Sequence, residues 1–317
     1  MILWFACWLG ALLLTRLAIG YARRAGLIDT PGERRSHRLA TPRGGGISIV
    51  LMAAMASCVL CLQGRLSLVE TGLFLAGLAL VAVPGWVDDH RSLPVWPRLL
   101  AHALAAVCVA ALAWRSSHSA LHAVLALGAT LALVNIWNFM DGINGIAVTQ
   151  VALVALGFGA LLWSSPWAIL AFAVVAAAVG FLPFNFPRAR IFLGDVGSGA
   201  LGYLIALLAA MALPAAGWSL AVGLPLAAFG IDAGFTLLRR MLNRERWWAP
   251  HASHAYQRLA RHVGHSAVTC AYGVFTACAV LVSLFLTRSM SPLPLTLALL
   301  LVGSALTAWW KITRHWA

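Results

Sequence analysis

The sequence predicts an all-α protein, a polytopic membrane helical bundle of about eleven transmembrane helices. Of its 317 residues, 62% are hydrophobic and 10% are charged, which excludes an ordinary soluble domain. Apolar runs of about 20 residues recur, the length that crosses a bilayer as a helix. The runs are too long for barrel strands, and helices satisfy their own backbone hydrogen bonds in hydrocarbon. We predict spans at residues 2–22, 45–63, 67–86, 97–114, 119–137, 146–163, 166–184, 198–214, 217–238, 266–287 and 292–310.

The distribution of basic residues predicts the orientation of these spans. Eighteen of the 22 Lys and Arg residues follow odd-numbered spans. By the positive-inside rule those loops and the C-terminus are cytoplasmic, and the N-terminus lies outside. The alternative for the first twenty residues is a secretory signal, which the lack of a preceding basic residue disfavours. Because no repeat or long linker interrupts the chain, residues 1–317 are predicted to form one membrane domain.

Charge and cysteine content argue against other classes of protein. The net charge of +13 suits nucleic acid, but the basic residues follow one membrane face, where anionic headgroups account for them. We therefore expect membrane lipid and no nucleic acid as a partner. All six cysteines lie within apolar spans, so we interpret them as packing residues rather than zinc ligands or redox pairs.

Eight of the nine acidic residues lie on the predicted cytoplasmic side, an arrangement that suits a divalent-metal and phosphate site. The first cytoplasmic loop contains Arg38 and the run Arg43-Gly-Gly-Gly. Glycines let a backbone approach a ligand closely, and arginines bind phosphate. The alternative is a turn-rich basic connector.

Span three ends in adjacent carboxylates, Asp88 and Asp89. Two such groups are costly to hold close together at a membrane interface unless a cation or a proton shares them. The pair is therefore a candidate for the site, and a solvated surface pair is the alternative.

Span five ends in a polar stripe formed by Asn135, Asn138, Asp141 and Asn144. A spacing of three residues places them along one slowly turning face of a helix. Amides both donate and accept hydrogen bonds, which suits recognition of a base or a sugar. A stripe that only joins helices is the alternative.

Span seven ends in Pro183-Phe-Asn185-Phe-Pro187, where the prolines break the helix. The segment Phe192-Leu-Gly-Asp195-Val-Gly-Ser-Gly follows. It presents one carboxylate beside free backbone donors at the start of span eight, which indicates a metal that bridges to phosphate. It lacks the Lys of a Walker sequence, so we do not expect an ATPase.

The last cytoplasmic region adds Asp232, His251 and His254. Asp232 lies within span nine, where it either pairs with Arg239 or Arg240 or belongs to the site. The two histidines are titratable donors for a phosphate.

Together these blocks resemble the polyprenyl-phosphate N-acetylhexosamine-1-phosphate transferases of glycosyltransferase family 4. They occur in the family's order, on the predicted cytoplasmic face, over nearly the whole chain. The blocks are Asp29-Thr-Pro with Thr-Pro-Arg-Gly-Gly-Gly, the Asp88-Asp89 pair, Asn138-Phe-Met-Asp-Gly-Ile-Asn-Gly, Phe192-Leu-Gly-Asp-Val-Gly-Ser and the His-rich loop.

The resemblance implies transfer of a sugar 1-phosphate from a UDP-N-acetylhexosamine to undecaprenyl phosphate, with UMP as the second product. The implied cofactor is Mg²⁺, with Mn²⁺ as the alternative ion, and the implied location is the cytoplasmic face of a bacterial inner membrane. A homodimer is compatible with the family likeness. The implied metal ligand is Asp195, and the implied catalytic residues are Asp88, Asp89 and His254. The expected substrate-binding residues are Asn138, Asp141, Asn144, Asn185, Phe192 and His251, to which we add Arg38 and Arg43 as phosphate contacts.

Two departures from the family pattern refine this expectation. Asn144 stands where the family commonly has a second acid, which disfavours a metal role there. The His-rich loop lacks the three consecutive histidines of the peptidoglycan-precursor branch. We therefore expect the branch that initiates O-antigen, a lipopolysaccharide component, or a related surface polysaccharide. The alternative within the family is a phospho-MurNAc-pentapeptide transferase. The alternative outside it is a membrane transporter, which would place its site near the midplane between internal repeats.

Overall fold

The computed structural model describes residues 1–30, 39–217, 220–245, 251–289 and 291–315. Twelve α-helices make up most of this described part. They are α1 (Ile2–Arg24), α2 (Ile47–Leu62), α3 (Leu68–His90), α4 (Val95–Ser117), α5 (Ala120–Phe139), α6 (Ile146–Leu161), α7 (Pro166–Asn185), α8 (Asp195–Ala215), α9 (Ala227–Leu242), α10 (Ala255–Val263), α11 (His265–Leu286) and α12 (Leu293–His315).

Eight helices of the described ranges are long and apolar enough to cross a membrane: α1, α3, α4, α5, α7, α8, α11 and α12. Helices α2 and α6 are apolar but have 16 residues each. At 1.5 Å per residue they are about 24 Å long, short of a typical hydrocarbon core. The molecule is thus a polytopic helical membrane protein, as predicted, whereas the count of eleven spans and the orientation of the termini stay predictions.

The segment predicted as span 217–238 departs most from expectation. Its described residues form a turn, a short 3₁₀ helix at Leu224–Leu226 and then α9, rather than one continuous helix. Pro225 lacks a backbone donor, which favours an interruption at this point. Helix α10 was not predicted, because nine residues with one strongly polar face do not resemble a span.

Helix α8 is the centre of the bundle, and 94% of its most apolar stretch is buried. Small residues let its neighbours approach closely, as is common between membrane helices. At Gly202, a Cβ atom would collide with the backbone of α5 at Leu133. This close packing aligns α5 with α8, so that the end of α5 meets the beginning of α8.

Two short strands lie between α1 and α2. Strand β1 (Ile28–Asp29) pairs antiparallel with β2 (Thr41–Pro42). The pairing positions Arg43 directly after β2. Arg38, a predicted phosphate contact, lies outside the described residues.

Candidate active site

Four helix ends meet at one end of the bundle. Asp88 and Asp89 lie at the end of α3, Asn138 near the end of α5, Arg98 near the start of α4 and Asp195 at the start of α8. The predicted blocks from distant parts of the sequence therefore form one cluster, which we call the carboxylate cluster. It comprises Asp88, Asp89, Asp141 and Asp195.

Arg98 joins two carboxylates of this cluster. Its Nη1 donates to Asp88 Oδ2 at 2.8 Å, and its Nη2 lies 3.4 Å from Asp195 Oδ2. Asn138 Nδ2 donates to the other oxygen of Asp195 at 3.0 Å. Sequence reasoning counted Arg98 only as a topological charge, because its spacing from Asp88 carries no motif. Its contacts hold the Asp88 and Asp195 carboxylates side by side.

The Asp89 carboxylate is hydrogen-bonded to the beginning of α8. Its two carboxylate oxygens accept the backbone N–H groups of Asp195 and Val196 at 3.1 and 3.2 Å. A carboxylate there satisfies otherwise unpaired amides and complements the helix dipole. The side chain of Asp89 is 2% exposed, against 14% for Asp88 and 31% for Asp195. The catalytic role predicted for Asp89 stays untested, and this geometry favours a positioning role.

The glycine run after Arg43 packs against the protein's own backbone. Gly45 and Gly46 donate their N–H groups to the carbonyls of Phe192 and Leu193, both at 2.9 Å. A Cβ atom on Gly46 would collide with the Cα of Gly197. The glycines were expected to let backbone approach a ligand, but here they let two backbone segments approach each other. The half-buried Phe192 is held beside this junction.

Asp141 lies after the end of α5, so the predicted helical stripe ends at Asn138. Within the described residues, its half-buried carboxylate has no hydrogen bond or ion pair. Burial, together with the nearby carboxylates of Asp195 and Asp89, holds the pKa of Asp141 well above its usual range. A carboxylate in this position would be stabilised by binding a cation or a proton.

Asn144 and Asn185 support the turn that carries Asp141. Asn185 is buried, and its amide accepts from Gly145 N–H and donates to Ile191 O, both at 2.9 Å. Asn144 Nδ2 donates to Pro187 O at 3.0 Å. Their predicted substrate-binding roles stay untested, and these contacts favour a role in holding the turn against the segment after α7.

Asp232 accepts backbone N–H groups at the start of α10, as Asp89 does at the start of α8. Its buried carboxylate accepts from Ala255 N–H at 2.8 Å, Tyr256 N–H at 2.9 Å and Tyr272 Oη–H at 2.7 Å. It therefore caps α10. Arg239 and Arg240, the partners considered from sequence, instead contact Thr313 O and the Glu245 carboxylate.

His254 immediately precedes α10 and is 3% exposed. Its Nδ1 lies 3.7 Å from Asp232 Oδ1, and its ring stacks on Phe139 with centroids 6.3 Å apart. Tyr256 Oη–H donates to Phe139 O at 2.9 Å. These contacts join the start of α10 to the end of α5, so His254 lies beside the segment that carries Asn138 and Asp141.

His251 lies next to His254, with ring centroids 4.9 Å apart. Burial, then the charges of His254 and Arg240, lower the pKa of His251 to about 4. His251 is therefore neutral near pH 7 and can offer a hydrogen bond, but not a positive charge, to a phosphate.

Comparison with known proteins points to one family. Residues 71–213 match the model of glycosyl transferase family 4. The chain is similar to this family over that region. The matched region contains the whole carboxylate cluster and Asn138, whereas Arg43, Asp232 and the two site histidines lie outside it.

Several curated proteins are similar to this chain. A probable undecaprenyl-phosphate N-acetylglucosaminyl 1-phosphate transferase of Bacillus subtilis is 26% identical over 79% of this chain and 74% of its own length. An undecaprenyl-phosphate alpha-N-acetylglucosaminyl 1-phosphate transferase of Thermotoga maritima is 27% identical over 79% of each chain. A decaprenyl-phosphate N-acetylglucosaminephosphotransferase of Mycolicibacterium smegmatis is 28% identical over 62% of this chain. That last alignment spans only 57% of the mycobacterial relative.

The carboxylate cluster fits a divalent cation held largely by substrate. Within the described ranges, no three metal-binding side chains form a site of their own. Mg²⁺ is typically bound through one or two carboxylates, with phosphate and water oxygens completing its shell. Asp195 and Asp88 lie side by side, and Asp141 has no cationic partner among the described residues, so the residues present suit such an ion.

Proposed function

We propose that this protein acts as a member of glycosyltransferase family 4 and transfers an N-acetylhexosamine 1-phosphate from a UDP-sugar to undecaprenyl phosphate. The observation that carries the proposal is the Asp195 carboxylate. It is more exposed than Asp88 or Asp89, it lies at the first turn of the buried α8, and Arg98 joins it to Asp88. The names of the relatives support the same reaction, and all three specify N-acetylglucosamine.

The reaction is a displacement at phosphorus. An oxygen of the acceptor phosphate forms a bond to the β-phosphorus of the UDP-sugar. The bond from that phosphorus to the bridging oxygen breaks, and UMP leaves with the electron pair. The products are a lipid-linked diphosphate sugar and UMP. Little covalent chemistry is required of the protein, whose task is to position two anions and neutralise their charge.

The residues divide this task among them. Arg98 and Arg43 supply fixed positive charge beside the carboxylate cluster, and Asp89 holds the first turn of α8 in place. Asp195, with Asp88 beside it, would hold Mg²⁺, which when bound neutralises diphosphate oxygens. Asn138, Asp141 and Phe192 are proposed to contact the nucleoside. His254 and His251 are proposed to donate hydrogen bonds to the diphosphate.

The proposal also covers the membrane face of the site, the branch of the family and the sugar donor. We place the site on the cytoplasmic face of a bacterial inner membrane, because eighteen of the 22 Lys and Arg residues belong to that side in the predicted topology. The surface-polysaccharide branch is favoured over the pentapeptide branch by the His-rich loop, and UDP-N-acetylglucosamine is the first donor to test. The match of residues 71–213 to the family 4 model argues against the transporter alternative.

The test uses the purified, detergent-solubilised protein with undecaprenyl phosphate and a panel of UDP-N-acetylhexosamines. We expect UMP release that requires both substrates, stops with EDTA and returns with excess Mg²⁺. Release that ignores the acceptor would indicate hydrolysis and contradict the proposal. Release that persists in EDTA would contradict the metal assignment alone.

A further inference from the structure

The turn that carries Asp141 begins where α5 ends, at Phe139. Among the described residues, the Asp141 carboxylate makes no hydrogen bond or ion pair, so no contact of its own fixes its direction. The Asp141 backbone N–H lies 3.4 Å from the Asn138 carbonyl, within the same turn. The direction of this carboxylate therefore depends on the shape of the backbone on either side of it.

Tyr256 of α10 contacts the backbone on both sides of Asp141. Its hydroxyl donates to the Phe139 carbonyl at 2.9 Å. On the other side it packs against Gly142, where a Cβ atom would collide with the same oxygen. The Nε2 atom of Gln257 lies next to this contact, 3.1 Å from that Cβ position. One phenolic oxygen thus contacts the residues that precede and follow the carboxylate.

The Tyr256 side chain is held in place and lies out of reach of a ligand. It is fully buried, and its backbone N–H donates to Asp232 Oδ2 at 2.9 Å. Burial, then the negative charges of Asp232 and Asp141, hold the pKa of Tyr256 well above its usual range. The hydroxyl therefore keeps its proton for the Phe139 carbonyl near pH 7, and it can position other groups without touching substrate.

We propose that Tyr256 is a positioning residue for Asp141, whose turn it holds so that the carboxylate faces the nucleotide of the UDP-sugar. The inference rests on the proposed function, which places Asp141 at the nucleoside, and adds the residue that fixes its direction. Met140 and Ile143 are buried and anchor the turn to the bundle. Loss of the hydroxyl should therefore misdirect the carboxylate rather than unfold the turn, and small misplacements of a binding group are costly.

The kinetic test is Tyr256→Phe, which removes the hydroxyl and keeps the ring. We expect the KM for UDP-N-acetylglucosamine to rise about tenfold and the KM for undecaprenyl phosphate to change less than about twofold. The matched control is Tyr203→Phe, because Tyr203 is also fully buried and its hydroxyl donates to Phe74 O at 3.1 Å, between α8 and α3. This control should lose a similar amount of stability with both KM values unchanged. If the two variants have the same kinetics, the inference is wrong.

Gly142→Ala tests the same contact from the other side. The added Cβ would displace the Tyr256 hydroxyl, so we expect the same selective rise in the KM for the UDP-sugar. The control is Gly128→Ala within α5, where the added Cβ meets nothing within 4 Å. Wild-type KM values in Gly142→Ala would contradict the inference.

A double-mutant cycle shows whether Tyr256 acts through Asp141. In a protein that already carries Asp141→Asn, adding Tyr256→Phe should raise the KM for the UDP-sugar by less than about twofold. Losses that multiply would show that Tyr256 acts on another part of the protein, and would overturn the inference.

A binding measurement separates this inference from the proposed reaction. UDP with Mg²⁺ is titrated calorimetrically into the wild type, Tyr256→Phe and Tyr203→Phe, without acceptor. We expect a Kd about tenfold higher in Tyr256→Phe alone. Equal affinity in all three would overturn the role of Tyr256 whether or not UMP is released. Weaker binding in Tyr256→Phe, with no UMP release by the wild type, would reject the proposed reaction and keep the positioning role. Absence of UDP binding to the wild type would reject both.

Discussion

Asp195→Asn is expected to lower kcat by about 10²–10³-fold while the protein still folds. The amide keeps the shape of the side chain and can still accept from Asn138. It loses the negative charge that faces Arg98 and that would hold the cation. Because the lost property is charge, excess Mg²⁺ should restore little activity. The measurement is UMP release at saturating substrates, with thermal unfolding recorded on the same preparation.

The matched control is Glu70→Gln. Glu70 lies at the opposite end of α3 from Asp88, in a capping box with Ser67. Glutamine serves the same capping box, so both activity and melting temperature should stay near those of the wild type. Near-normal turnover of Asp195→Asn would contradict the role given to this carboxylate. A comparable loss in Glu70→Gln would mean that any removed acid damages the protein.

Asp232→Asn is expected to reduce both stability and activity. The carboxylate accepts the N–H groups of Ala255 and Tyr256 through different oxygens, whereas an amide has one acceptor oxygen. One buried N–H group is left without an acceptor, which costs about 1–3 kcal/mol. Activity should fall about 10–100-fold, by our estimate, because the loosened start of α10 no longer holds His254 beside Phe139.

A double-mutant cycle with His254→Ala tests the route of this effect. If Asp232 acts through His254, Asp232→Asn should add little to the activity loss of His254→Ala, although it still lowers the melting temperature. Losses that multiply would assign Asp232 an independent role. An Asp232→Asn protein with wild-type stability would show that the cap at α10 is dispensable.

Local features of the sequence were sufficient for most helices. The predicted span 97–114 lies within Val95–Ser117, because length and hydropathy alone identify a membrane helix. The structure of segment 217–238 was harder to predict from sequence. Whether its proline interrupts the helix, and where its polar residues lie, depends on packing against neighbouring helices. The amphipathic α10 was read as loop because its apolar face depends on α9 and α11 for burial.

The sequence predicted which residues belong to the site but not which of their atoms are in contact. Asp88, Asp89 and Asp195 were found because acids are rare in so apolar a chain. That Asp89 caps α8 depends on backbone groups more than a hundred residues away, which no local pattern encodes. Arg98 was hidden among many topological charges, and neither alternative considered for Asp232, an arginine partner or a place in the site, included the backbone amides of α10. Neighbouring residue types thus indicated where the chemistry lies, and tertiary packing decided which atoms meet.

The most direct test of the central claim is the identity of the nucleotide that leaves. With purified protein, undecaprenyl phosphate and UDP-N-acetylglucosamine carrying labelled β-phosphorus, we expect UMP and a lipid product that retains the label in its diphosphate. Release of UDP, with an unlabelled lipid monophosphate sugar, would show transfer of the sugar alone and rule out sugar-1-phosphate transfer.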